Sequence, residues 1–445
     1  MKRSLLTIFA VAAIAFGSNA QTFSLSQCIK TGLENNYSLR ITRNEEKIAH
    51  NNATIANAGY LPTIDIAGGY NGSLGSNSSK ERETGEIART SNTFDNTLNA
   101  GIDLNWTIFD GFKISTTYKQ LKEMEQIGET ATRLAIEDFI ANIAAEYFNF
   151  LRQRLRLTNY RNAMLLSKER LRIVEERYNI GSFSRLDYQQ AKVDFNADSA
   201  QYLKQQEVVI TSRIALNEMM AIEEVYSPIK TTDTIIVIDK TLEFTRLWFR
   251  MLENNSSLLI SSHNNTLAEL DYKQVLSRNY PYVRLNAGYD YSYNNYGSGV
   301  YTHRNGWGGN ASVTIGFNIW DGNRKREKCN AKIAIENAQL QHDQLVLALK
   351  ADLGNMWQAY RNNLLLLDLE EHNVVTAREN HDIAKERYML GDLSGIEMRE
   401  AQLSLLQAEE RLLSVEYDTK ICEISLLLIS GEISKYIDTD DTAQQ

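Results

Sequence analysis

Residues 33–41 read LENNYSLRI, and residues 252–260 read LENNSSLLI. Seven of the nine positions are identical at a separation of 219, so the chain repeats itself half its length apart. The repeat extends outward from this pair. Only three prolines occur, and Pro62 and Pro281 lie at the same offset, opening PTIDIAGGY (62–70) and PYVRLNAGY (281–289). Further on, NAGIDLNWTIFDG (99–111) answers NASVTIGFNIWDG (310–322) at offset 211, and ERYNIGSFS (176–184) answers ERYMLGDLS (386–394) at offset 210. Self-similarity kept in one order marks two tandem structural repeats, about 21–221 and 241–430, joined by a linker at 222–240 and followed by a tail at 431–445. The offset shrinks between the two strand segments, which places about eight extra residues in the first half, in a loop that tolerates insertion.

Each half has the same internal order. A helical stretch comes first, 24–58 and 241–279, with apolar residues spaced three and four apart. Two segments of strict alternation follow, where the period falls to two and predicts strands at about 62–74 and 94–109, then 281–294 and 308–320. In 98–108, Leu98, Ala100, Ile102, Leu104, Trp106 and Ile108 alternate with Asn99, Gly101, Asp103, Asn105 and Thr107, so one face is apolar and the other wet. The polar, Pro-free stretches 75–93 and 295–306 read as loops. From Lys113 to Asn179 and from Asn323 to Met389 the chain then runs without proline and with one glycine each, Gly128 and Gly354. A continuous helix of that length would be ~100 Å long at ~1.5 Å per residue. Gly181 and Gly391 are placed to supply left-handed caps, and Ser184 and Ser394 to start return helices at about 184–221 and 394–430. The helical hairpins are predicted at about 112–221 and 323–430.

Composition narrows the function classes. Lys2 and Arg3, the apolar run from Leu5 to Phe16, and Ser18-Asn19-Ala20 have the form of a signal peptide over 1–20, cleaved before Gln21. Loss of the two leader cations takes the formal charge from −9 to −11, which disfavours nucleic acid. Cys28, Cys329 and Cys422 are odd in number and widely spaced, so they read as small buried apolar side chains rather than as a disulfide framework. The six histidines form no HExxH motif, and no Walker or GxSxG signature occurs. An enzyme, a metal site and a cofactor are not expected.

After the leader no segment is long and apolar enough for a membrane helix, so a membrane crossing must use strands. Strands of this length with one greasy face suit a lipid-facing barrel, and Tyr70, Trp106, Tyr289, Tyr291, Trp307 and Trp320 suit its interfacial girdles. Four strands cannot close, and open edges are not tolerated in lipid. Two copies would close a plugged barrel, while three would close a twelve-stranded one with room for a passage. Rods of such length favour three, giving a homotrimer with quasi-sixfold symmetry.

The leader, the two repeats, the paired Asp110-Gly111 and Asp321-Gly322, and the YxxGxxS tips (178–184 and 388–394) together resemble the outer-membrane efflux proteins, the TolC-like family, over essentially the whole mature chain. The resemblance implies an α-helical coiled-coil periplasmic tunnel continuing a trimeric twelve-stranded outer-membrane β-barrel. It implies an efflux exit duct fed by a periplasmic adaptor (membrane fusion) protein and an inner-membrane transporter, with outer-membrane lipid around the barrel. It also implies adaptor contact at Gly181, Phe183, Ser184, Gly391, Leu393 and Ser394. A periplasmic gate would be formed by Asp187, linked across to Tyr388, and by Glu397 and Glu400, whose three-residue spacing shares one helix face. Where some members carry a basic gate residue, this chain has Leu393. By the same resemblance, 222–240 and the residues after Ser430 form a belt around the tunnel. A type I protein-secretion conduit, and a structural rod anchored in the outer membrane without transport, are the competing expectations.

Overall fold

The computed structural model describes residues 21–438. The expected leader and the last residues of the expected tail, 439–445, lie outside the described residues. The elements are β1 (Gln21–Phe23), α1 (Leu25–Asn35), α2 (Tyr37–Asn52), α3 (Ile55–Ala58), β2 (Thr63–Lys80), β3 (Ile87–Asp110), α4 (Lys113–Asn179), α5 (Arg185–Met219), β4 (Ile229–Thr231), α6 (Phe244–Asn254), α7 (Ser256–Ser277), β5 (Tyr282–Asn295), β6 (His303–Gly316), α8 (Arg324–Leu390), α9 (Gly395–Ile429) and α10 (Lys435–Asp438). The two long helices are continuous, 67 residues each, and the two return helices are 35 residues each. Among the described residues no helix is long and apolar enough to cross a membrane.

The chain forms two compact units. The first comprises the described residues up to Thr42, Arg133–Ser256 and those from Leu347 on. Its main core is built on α4, where Ile140, Ile143, Tyr147 and Leu151 are buried at helical spacing against Ile29, Leu216 and Leu427. The segment joining the repeats contributes β4, which pairs in parallel with β1, Phe23 opposite Thr231. Tyr147 Oη donates to Asp233 at 2.7 Å, and burial holds that phenol far above its ordinary range. The start of the expected tail is also core, because Ile433 and Tyr436 are buried in the same cluster. A buried ion pair fixes it there. Lys420 Nζ donates to Glu423 at 2.7 Å, and Glu423 also accepts from Tyr436 Oη and from the Asp239 amide. Cys28 is buried, with its thiol pushed up to about 12 by desolvation and by the charge of Asp233, and Cys422 is buried too. Cys329 corrects the expectation for the cysteines, since its position on α8 is exposed.

The repeated LENN motifs have one physical explanation. Asn36 and Asn255 each take an extended backbone that ends α1 and α6 and lets α2 and α7 begin at once. The side-chain amide of Asn36 donates to the carbonyl of Met219 at 3.2 Å, and that of Asn255 to Ile429 at 3.0 Å. Met219 and Ile429 are the final residues of α5 and α9, whose last carbonyls lack helical partners. One side chain therefore breaks a helix and satisfies the end of another, twice.

The second unit comprises Arg43–Thr132 and Ser257–Val346. Its sheet has the order β2-β3-β5-β6, antiparallel throughout, so the two hairpins lie side by side through β3 and β5. Register puts Ile64 opposite Leu104, Ile66 opposite Ile102, Leu98 opposite Tyr293 and Ile102 opposite Tyr289, all on one face. Ile66, Tyr70, Ile102, Tyr289, Trp307 and Ile315 are exposed on that face. Asp65, Asp103, Gly288 and Asn310 share the other face, and β2 and β6 are unpaired edges.

Two sequence expectations are corrected here. The stretch 75–93 is largely strand, with β2 and β3 paired as far as Lys80 and Ile87 across a register shift near Gly75. Alternation failed to announce this because Ser, Asn and Thr occupy both faces, while the backbone ladder needs no apolar side chain. The extra residues of the first half therefore lengthen a β-ribbon. Conversely, β6 runs over His303–Gly316 rather than 308–320, because its partner β5 begins at Tyr282, opposite Gly316.

Asn255→Ala and Asn36→Ala each remove a cap and orphan a carbonyl. Each is expected to destabilise the first unit by roughly 1–2 kcal/mol, read as a lowered thermal unfolding midpoint of the purified protein.

Candidate functional site

The two hairpin tips are built alike. At the first, Gly181 is left-handed at φ +80°, and Ser182 N–H returns to Arg177 O at 2.8 Å. At the second, Gly391 has φ +90° and Asp392 N–H returns to Arg387 O at 3.0 Å. Each tip then opens its return helix with a capping box. Ser184 Oγ accepts from the Asp187 amide at 3.2 Å while the Asp187 carboxylate accepts from Ser184 N–H at 3.0 Å. Ser394 and Glu397 repeat this at 3.3 and 3.0 Å. The backbone and then the side chain of Ser394 hold the Glu397 carboxyl below its ordinary range.

The expected tip residues are thus gathered at two sites of the same shape. Gly181, Ser184, Gly391 and Ser394 are exposed, while Phe183 and Leu393 are half-buried against a cluster of Val174, Ala191, Ala384, Tyr388, Met398 and Ala401. Four further tip residues escaped sequence reasoning. Ile180, Leu186, Leu390 and Ile396 are 76–78% exposed. They are two pairs related by the same offset of 210, and that recurrence of apolar residues at turns was the available signal.

The expected gate residues are arranged differently. Asp187 is not joined to Tyr388, because its carboxylate is engaged by Ser184. The Tyr388 ring is 2% exposed and its hydroxyl has no partner among the described residues. Burial holds its proton tightly, despite the opposing charges of Arg170 and Arg177. Arg177 lies 5.6 Å from the Tyr388 ring centroid and 5.2 Å from that of Phe183, and donates to Met389 O at 2.9 Å. Glu397 and Glu400 line one small cavity of about 250 Å³ with Arg387, but Glu397 serves the cap and Glu400 alone is uncommitted among the described residues.

The two hairpins are held together about one to four turns above the tips. Arg399 of α9 forms a bidentate pair with Asp198 of α5, at 2.6 and 2.7 Å, and reaches Ser167 of α4 at 3.2 Å. Ser167 also bonds Asp198, and both are buried. Arg170 of α4 pairs with Asp194 of α5 and donates to Gly395 O at the start of α9 at 3.2 Å. Planar guanidinium suits both tasks, because it serves two acceptors at once. These residues do not recur at the repeat offset: Gln189 and Asn380 stand where copies of Arg399 and Arg170 would be. Among the described residues no group of three or more His, Cys, Asp or Glu is placed to hold a metal ion.

The profile of the family described as outer membrane efflux protein matches residues 28–221 and 249–432, one segment in each repeat. The chain belongs to that family. It is 23% identical over 172 residues to the outer membrane protein TolC of Vibrio cholerae, a match covering 39% of this chain and 38% of that relative's length. Similar solved structures include the CmeC outer membrane channel of Campylobacter jejuni, with TM-score 0.76 and 18% identity over 95% of this chain and 90% of that one. The outer membrane protein VceC of Vibrio cholerae has TM-score 0.73 and 17% identity over 92% and 96%. These likenesses establish a common fold, and the family makes the chain an outer-membrane efflux protein.

Arg399→Ala would leave Asp198 buried without its cation. The expected cost is roughly 3–5 kcal/mol locally, seen as faster amide exchange in the first turns of α5 and α9 with the main core around Tyr147 protected as before.

Proposed function

We propose that the protein is the outer-membrane exit duct of a tripartite efflux system. Three copies close a twelve-stranded barrel in the outer membrane, and their helical hairpins form a tunnel through the periplasm. The observation that carries this is the sheet: an exposed apolar face and two unpaired edges, in a chain with no membrane-crossing helix among its described residues. Lipid is the solvent that suits such a face, and sister strands are what an edge in lipid requires. The wet face, carrying Asp65, Asp103 and Asn310, then lines the passage.

The tips serve as the docking surface for a periplasmic adaptor, which is in turn coupled to an inner-membrane transporter. Gly181, Phe183 and Ser184 with Gly391, Leu393 and Ser394 supply the shape of two like knobs. Ile180, Leu186, Leu390 and Ile396 add apolar area exposed beyond what a helix end needs. Asp187, Tyr388, Glu397 and Glu400 surround the periplasmic entrance, and Glu400 contributes a free carboxylate from each copy. The Arg399–Asp198 pair and the Arg170–Gly395 contact keep the hairpins together in the closed duct, so opening requires their separation.

In a planar lipid bilayer the purified protein is expected to form channels of low conductance, and Arg399→Ala with Asp198→Ala is expected to raise the conductance several-fold. Glu397→Gln with Glu400→Gln is expected to weaken block by divalent cations. A protein that passes no current in any of these forms would be a rod rather than a duct.

A further inference from the structure

The space between the hairpins just above the tips is a cavity of about 890 Å³, within the size range of sites for drug-sized molecules. Val174, Phe183, Leu186 and Leu403 give it apolar walls. Its polar lining has unmet bonding capacity of two kinds. Tyr388 and Arg170 both line it, both are at least nine-tenths buried, and Tyr388 Oη and Arg170 Nε have no partner among the described residues. The other nitrogens of Arg170 are taken by Asp194 and Gly395 O. Gly395 and Ile396, the first residues of α9, also line the cavity, and amides at a helix start have no helical acceptor. All of these groups donate, so together they call for an oxygen acceptor.

Charge gives the second requirement. Among the acids of the lining, Asp194 is paired with Arg170 and Asp187 is held by the Ser184 cap. Arg399 is matched by Asp198. Asp187 keeps its charge within that cap, and Glu400 is exposed with no hydrogen bond or ion pair among the described residues, so the cavity wall carries an excess of negative charge. A buried donor left unmade is costly, and an uncompensated carboxylate beside apolar walls favours a cation.

We propose that this cavity is a binding site for an amphipathic organic monocation that carries a carbonyl oxygen. The carbonyl accepts from Tyr388 Oη–H and Arg170 Nε–H near the start of α9. The apolar body lies against Val174, Phe183, Leu186 and Leu403, and the ammonium group faces Glu400. Such a ligand touches both hairpins of one protomer, so its occupancy bears on how far the hairpins part.

The test is equilibrium binding of tetracaine, an aryl ester with a protonated tertiary amine, to the purified full-length protein in amphipol at pH 7, read by the ligand's own fluorescence. Saturable binding at one site per protomer is expected. Glu400→Gln should weaken it about tenfold, Tyr388→Phe at least threefold, and the uncharged ester butyl 4-aminobenzoate should bind about tenfold more weakly than tetracaine. Leu403→Trp and, at a second exposed position, Ser404→Trp fill the cavity and should abolish binding, with unfolding midpoints of the free variants confirming that each is folded. Binding that survives both tryptophans, non-saturable uptake alone, or equal affinity for the uncharged ester would overturn the proposal. Since no current is measured, this result stands apart from the outcome of the bilayer experiment.

Discussion

In lipid, an antiparallel sheet of four strands with one apolar face exposed and both edges unpaired cannot be at rest in a single protomer. Its edges display backbone donors and acceptors, which on the proposed reading are met by sister chains, and its apolar side chains lie in the open. The other features of the chain follow from meeting this constraint in lipid. The repeat supplies two hairpins that pair through β3 and β5, and the same repeat supplies two long helical hairpins. Symmetric copies can then extend sheet and helices together by one operation.

Within that frame, what recurs differs from what does not. The Asn36 and Asn255 clamps, the left-handed glycines and the Ser184 and Ser394 capping boxes occur in both halves at matching positions. They are devices for ending and restarting helices, which each half needs equally. The Arg399–Asp198–Ser167 and Arg170–Asp194–Gly395 contacts occur once. They bind α4 and α5 to α9, so they govern the relation between hairpins rather than the shape of either.

The two long helices are legible almost to the residue, because a Pro-free run bounded by a cap glycine and a capping serine leaves little choice of ends: α4 has the limits 113–179 that the sequence indicates, and α8 is displaced by one from 323–389, whereas the stretches 24–58 and 241–279 are broken at Asn36 and Asn255. The family was legible from the order of weak motifs repeated twice. Strand limits were less so, since alternation reports the environments of the two faces and falls silent where both are polar, as in the ribbon beyond Gly75. The tip geometry at Gly181, Ser184, Gly391 and Ser394 was readable from local chemistry. The partners of Asp187 and Tyr388 were not, because the capping box competes for the aspartate at closer range than any residue across the hairpins. Nor was the arginine network, whose links between the hairpins span 201 to 232 positions and have no repeated counterpart.

The central claim is that sister subunits seal the sheet. Native mass spectrometry of the purified mature protein, released from detergent, addresses it most directly. The account predicts a complex of three identical chains and no stable smaller species. A lone protomer that keeps its strand content would contradict it, and a dimer would contradict the open passage.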